Sequence, residues 1–172
     1  NTANLFGLQT GHVIKLENGT YHMVTTELFD PSFWYPTRSA HWKSTDGTAW
    51  SRVGIVSGSA VDNWDPHSNG WDPNWYYNTA EGKWNITYNG LEIFRTSSNS
   101  LGDAGIDGPY TESGVLTPFA GGSPATEYWA GGNGDSFSNV FTVGTKLYAF
   151  VGGGIVGWNA GLYKADSIGG PW

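Results

Sequence analysis

The chain has 172 residues, enough for one domain with its own core. Its 8 Lys plus Arg against 15 Asp plus Glu give a net charge of −7, which argues against nucleic acid or an anionic membrane surface as partner. Cysteine is absent, which excludes disulfides, thiolate metal sites and a thiol nucleophile, and no stretch approaches the roughly 18 apolar residues of a membrane helix.

The remaining composition is turn-rich and aromatic: 26 Gly, 10 Trp, 9 Tyr and 8 Phe. Glycine serves tight turns and aromatics favour pleated, half-buried surfaces, so an all-β chain is expected. Flat aromatic faces also suit the apolar C–H side of a pyranose. The plainer expectation is that most of these rings pack in the core.

In chain order, the first signal is a hairpin, with strands over 12–16 and 20–24 about Asn18-Gly19. A further strand leads into the turn Ser44-Thr45-Asp46-Gly47, with Asp46 capping its own turn and Trp50 packing behind it. The second hairpin spans 73–77 and 83–88 about Gly82, and a strand over 93–97 follows. The third spans 137–141 and 146–151 about Gly144, followed by a strand over 162–166. Gly19, Gly82 and Gly144 recur at intervals of 63 and 62 residues. Gly108-Pro109-Tyr110 and Gly170-Pro171-Trp172 also recur 62 apart.

Two independent markers thus give one period, and a repeat of this length with about four short strands is a propeller blade. The repeats run approximately 11–58, 71–118 and 135–172, within a single β-propeller domain or fragment. Three blades do not close a propeller, which takes four to eight. The third repeat reaches Trp172 where its fourth strand would begin, so a missing segment or a second chain is expected to complete the ring.

Several motifs resemble the five-bladed β-propeller glycoside hydrolases, the superfamily of arabinanases, xylosidases and invertases. Gly11-His12-Val13-Ile14-Lys15-Leu16 with Asn18-Gly19-Thr20-Tyr21-His22 looks like its opening strand pair. Ser44-Thr45-Asp46-Gly47 with Trp50 is similar to its outer turn, a turn that non-catalytic propellers share. Trp71-Asp72-Pro73 with Gly82-Lys83-Trp84, and Asp166-Ser167 with Gly170-Pro171-Trp172, resemble its second blade and a recurring blade end. The resemblance implies three acids converging at one mouth of the central channel, from early positions on the inner strands.

Acids at such positions are Asp72 with Asp65 slightly earlier, Asp135 in Gly134-Asp135-Ser136, and Glu127 in Thr126-Glu127-Tyr128-Trp129. The first repeat departs from the pattern: Gln9-Thr10-Gly11-His12 stands where an Asp is usual, with Glu27 or Asp30 as substitutes. In this reading Glu127 is the general acid, its pKa raised by Tyr128 and Trp129. Asp72 is the base or the charge that tunes it, and Asp135 positions substrate hydroxyls. His12, His67 and Arg38 hydrogen-bond the sugar, and Trp64, Trp71 and Trp129 form a stacking floor. For each acid the plain alternative is a turn-forming or solvated loop residue, and for His12 a satisfied buried histidine.

Other chemistries lack support. There is no G-x-S-x-G elbow and no H-E-x-x-H, and Gly152-Gly153-Gly154 is not followed by a helix. Asp103 and Asp107 lie in a Gly-rich stretch without calcium-loop spacing, so neither metal nor cofactor is expected. Asn18-Gly19-Thr20 and Asn85-Ile86-Thr87 are glycosylation sequons, which fit a secreted protein with Asn18 in an accessible turn. Three functions stay open: a glycoside hydrolase, a lectin-like carbohydrate-binding propeller, and a structural module of an extracellular assembly.

Overall fold

The computed structural model describes residues 5–29, 37–56, 73–79, 81–87, 92–96, 101–108, 110–115, 134–153 and 159–168. Among the described residues, eleven strands form three antiparallel sheets, and one helical turn accompanies them. The first sheet runs in order β1 (Gly7–Lys15), β2 (Tyr21–Leu28), β3 (Thr37–Ser44), β4 (Ser51–Ile55). The second runs β5 (Asn74–Asn78), β6 (Lys83–Thr87), β7 (Glu92–Thr96), β8 (Tyr110–Val115), with α1 (Asp103–Ile106) between its last two strands. The third comprises β9 (Gly134–Val143), β10 (Lys146–Gly153) and β11 (Asn159–Ala165). Each sheet is an up-and-down meander, the architecture of a propeller blade.

The hairpins form where the sequence places them. Gly19, Gly82 and Gly144 have φ of 91°, 67° and 62°, a left-handed conformation that costs a residue with a Cβ. The strands are longer than their apolar runs. β2 continues through Thr25, Thr26 and Glu27, all essentially fully buried. Polar residues there are carried by ladder pairing on both sides, with β1 and with β3.

The outer turn of the first blade is closed by its own side chains. Ser44 Oγ accepts from the Gly47 N–H at 2.9 Å, and Asp46 Oδ1 accepts from Thr48 and Ala49 at 2.8 and 2.9 Å. The Ala49 and Thr48 backbone donors hold the Asp46 carboxyl far below the usual carboxylate range.

Alternation divides the first sheet into two faces. His22, Val24 and Thr26 turn one way, and Met23, Thr25 and Glu27 the other. Val24 and Val56 of the first blade pack with Trp75, Trp84, Ile86 and Ile106 of the second, flanked by Ile14, Leu16, Tyr77 and Tyr110. Among the described residues this inter-blade layer is one core cluster, with Val140, Leu147, Ala149 and Ala165 buried in the third blade, and Trp75 and Trp84 are packing residues, as the plainer expectation for the aromatics has it. The second blade meets the third through β5 and β9. Tyr76 Oη and Thr142 Oγ1 lie 3.3 Å apart across that seam.

Candidate functional site

The inner strands β1, β5 and β9 lie side by side, β5 against both of the others. Their starting ends are where the sequence places the acids. Asp135 is the second residue of β9, where Gly134 pairs with Gly153 and Ser136 with Gly152. Arg38 is the second residue of β3, opposite Glu27. Asp72, Glu127, Trp64, His67, Trp71 and Trp129 lie outside the described residues, as do Asp30, Asp65 and Trp172.

His12 is placed on β1, in register with Val24, and its Nδ1 accepts the backbone N–H of Trp75 at 3.2 Å. That bond ties the first two inner strands together and leaves Nε2 as the donor of the neutral ring. Burial pushes the His12 pKa below its ordinary value, and protonating Nδ1 would break the bond from the Trp75 N–H.

Glu27, the acid proposed to replace a first-blade Asp, is fully buried, on the face of β2 away from the second blade. Arg52 Nε and Nη2 donate to its two oxygens at 2.6 and 3.0 Å. A carboxylate held bidentate with no exposure braces β2 against β4 and presents nothing to a substrate. The start of β1 therefore offers Gln9, Thr10 and Gly11 but no acid.

A polar cluster that the sequence did not single out lies between the first two blades, toward their hairpin turns. His22 on β2 and His41 on β3 are diagonal neighbours, since His22 pairs with Lys43 and Val24 with His41. His22 Nδ1 and His41 Nε2 are 2.9 Å apart, and the rings stack at 5.1 Å. His22 Nε2 lies 2.7 Å from Asp103 Oδ1 on α1. The Lys43 ammonium reaches Asp107 Oδ2 at 2.8 Å and Asp103 Oδ1 at 3.5 Å. Asn18 Nδ2, the nitrogen a glycan would occupy, donates to Asp103 Oδ2 at 2.8 Å. Asn85, the other sequon residue, is fully buried.

The electrostatics follow from burial. Desolvation pushes His41 down to about 3, and the neighbouring His22 and Lys43 add to this. Desolvation likewise lowers His22, against the pull of Asp103 and Asp107, so both imidazoles are neutral at pH 7. Burial works against the charge of Asp103, but hydrogen bonds from His22 and Asn18 bring its pKa below the usual range. Tyr110 closes the cluster: its hydroxyl donates to the Ile106 carbonyl at 2.7 Å and accepts from Trp75 Nε1 at 2.9 Å. A cleft of about 430 Å³ opens beside it, lined mainly by Ile14, Leu16, Asn18, Trp84 and Leu101. Its walls are mostly apolar, and among the described residues Glu17 is the single carboxylate on them.

Only register reveals this cluster. The sequence shows His22 and His41 as alternating residues of two strands, and α1 hides in Leu101-Gly102-Asp103-Ala104-Gly105-Ile106, where two glycines argue against any helix.

Sheets of this order, stacked through their faces with inner strands side by side, define a partial β-propeller. The comparisons with known proteins agree with that fold. No family model matches the chain, and no curated protein matches it in sequence. Among solved structures it is similar to Zg3597, a family 117 glycoside hydrolase of the marine bacterium Zobellia galactanivorans: TM-score 0.70, 19% identity, 99% of this chain and 56% of that one. It is also similar to an exo-1,5-α-L-arabinanase from a bovine ruminal metagenomic library, with TM-score 0.62 and 15% identity over 99% of this chain and 57% of that one. For a sucrose-6-phosphate hydrolase from Lactobacillus gasseri the TM-score is 0.64 and the identity 14%, over 95% of this chain and 33% of that one. These are five-bladed β-propeller glycoside hydrolases, and the chain spans a third to somewhat more than half of their length. The fold is therefore the five-bladed type, with about three blades in this chain.

Proposed function

We propose that the chain is the larger part of a propeller that hydrolyses O-glycosyl bonds of an oligo- or polysaccharide through paired carboxylates. The observation that carries the proposal is the likeness to glycoside hydrolases over 99% of the chain. Asp135 supports it from within, standing at the starting end of an inner strand. In this reading Glu127 protonates the leaving oxygen and Asp72 serves as base or tunes it, while Asp135 orients sugar hydroxyls. Trp64, Trp71 and Trp129 supply stacking surface, and Arg38 and His67 supply hydrogen bonds. His12 contributes only through Nε2, because Nδ1 is engaged by Trp75. Secretion fits an enzyme acting on a polymer that cannot enter the cell.

A second reading is a carbohydrate-binding propeller without hydrolysis. The first blade favours it, since Glu27 is committed to Arg52 and the start of β1 carries no acid. A glycan panel with both binding and cleavage readouts separates the two. Cleavage that Glu127→Gln abolishes with binding retained is the expected result. Binding by the wild type without any cleavage would make the protein lectin-like. Neither binding nor cleavage would overturn both readings for this chain.

A further inference from the structure

We propose that His22, His41 and Asp107 form a binding site for one divalent transition-metal ion of the zinc type, which clamps the first blade to the second. His22 Nδ1, His41 Nε2 and a carboxylate oxygen of Asp107 all lie within 4.8 Å of one another, and among the described residues no other such cluster occurs. Two imidazoles and one carboxylate are the donors zinc prefers, at about 2.0–2.2 Å each. Three such ligands around a tetrahedral ion sit roughly 3.3 Å apart. The two spacings from His22 Nδ1 bracket that value, 2.9 Å to His41 Nε2 and 3.7 Å to Asp107 Oδ1. The third pair, His41 Nε2 and Asp107 Oδ1, lies within 4.8 Å, so an ion would draw these two atoms together by up to about 1.5 Å as the segment after α1 closes on β3.

Three further observations point the same way. Asp107 Oδ1 is buried yet has no hydrogen-bond partner, which is costly for a carboxylate oxygen unless something positive meets it. Lys43 holds the other oxygen at 2.8 Å, which leaves Oδ1 as the single ligating atom. Asp103 accepts from His22 Nε2 at 2.7 Å, which puts the ring proton there and turns the Nδ1 lone pair toward the cluster. A carboxylate behind a ligating histidine is the usual device for orienting the ring and raising its basicity. The two carboxylates outnumber the one ammonium, so the cluster carries a net negative charge suited to a cation. His41 takes part by moving its proton from Nε2 to Nδ1, with no net change in charge.

The site is independent of the glycosidase reading. It lies toward the hairpin turn of the first blade, and Asp135, the proposed catalytic acid among the described residues, stands at the opposite, starting end of its inner strand. Its ligands come from β2, β3 and the segment following α1, so an ion bound there would join blade to blade and act on stability.

The test uses the 172-residue chain stripped with a chelator. Zn²⁺ is titrated calorimetrically, Co²⁺ by visible absorption, and Tm is read with and without metal. Expected are one equivalent per chain, the d–d bands of nitrogen-ligated low-coordinate cobalt, and a Tm several degrees higher with Zn²⁺. His41→Gln and Asp107→Asn should abolish these effects, and Asp103→Asn should weaken binding about 10–100-fold. Unchanged Tm and no cobalt bands in the wild type would overturn the proposal. So would equal affinity in wild type and the ligand variants, which would mark surface binding. Should a variant fail to fold, the wild-type cobalt spectrum and stoichiometry decide alone.

Discussion

Glu27 shows how far residue type can mislead about role. An acid near the end of an inner-blade strand reads as a spare catalytic carboxylate, but the structure gives both its oxygens to Arg52. The pair is buried, with side-chain exposures of 17% for Arg52 and 0% for Glu27. Removing Arg52 takes a bidentate partner from a buried carboxylate, so Arg52→Ala is expected to cost about 1–3 kcal/mol in urea unfolding. Replacing both by apolar residues should cost less, because the buried carboxylate is removed along with its partner. A loss below about 1 kcal/mol for Arg52→Ala would show that the rest of the Glu27 surroundings holds its charge without Arg52.

His12 carries the pH dependence that can be assigned to one bond. Burial lowers its pKa in the folded chain below the ordinary 6.5, so between those two values the unfolded chain binds more protons. The contribution of His12 to stability is therefore complete above about pH 6.5 and declines as pH falls toward its folded pKa. In His12→Asn the amide oxygen can accept the Trp75 N–H in place of Nδ1, and no proton is taken up. Urea midpoints at pH 7 and pH 5 should fall less in this variant than in the wild type. Parallel losses would assign the acid sensitivity elsewhere.

Among the strands and turns, what the sequence shows is whatever is local. Gly19, Gly82 and Gly144 mark the hairpins because their backbone needs are written in a single residue. The turn at Ser44 and Asp46 is legible for the same reason, as its hydrogen bonds join residues two and three apart. Strand length is not legible, since β2 runs on through polar residues whose burial comes from neighbouring strands and blades. The His22 cluster is the extreme case, with partners 19 and 81 residues away in sequence. Gly11 was legible only as part of a motif, yet it governs β1. It sits at the bulge between Gln9 and Gly11, with φ of 150°. A Cβ there would lie 2.3 Å from the Val24 carbonyl oxygen, a backbone atom that cannot move aside alone. Gly11→Ala is expected to cost about 1–3 kcal/mol from the backbone conformation, with the clash added to it. Gly19→Ala, with nothing within 4 Å of its Cβ, should suffer only the conformational part. Equal losses for the two would mean that β1 slides to relieve the contact.

The three blades together leave two broad faces of unequal character. On the third blade Phe141, Val143, Phe150 and Leu162 are exposed by 37%, 57%, 46% and 56%, and the register puts them on one side of the sheet with Tyr148. Phe141 stacks on Tyr148 at 5.7 Å and lies 5.9 Å from Phe150, a continuous aromatic strip turned away from the second blade. On the first blade Leu8 and Val13 are exposed by 43% and 50%, but Glu27 and Arg52 break up the remainder of that face. Blade faces are built to be covered on both sides, and the strip matches the inter-blade layer that Trp75, Ile86 and Val24 make between the first two blades. Isolated from any covering blade, the 172-residue chain should therefore associate through the third blade, since exposed apolar patches drive such contact. Sedimentation velocity across a concentration series should show reversible self-association in the wild type. The double variant Phe141→Ser, Phe150→Ser should reduce it, while Leu8→Ser, Val13→Ser should change it little. Both pairs are surface substitutions here and should cost little stability, roughly 0.5 kcal/mol or less each. A monomeric wild type at every concentration would mean that the aromatic strip is satisfied within its own sheet. An equal effect from both pairs would mean that the two end faces meet each other, as neighbouring blades do.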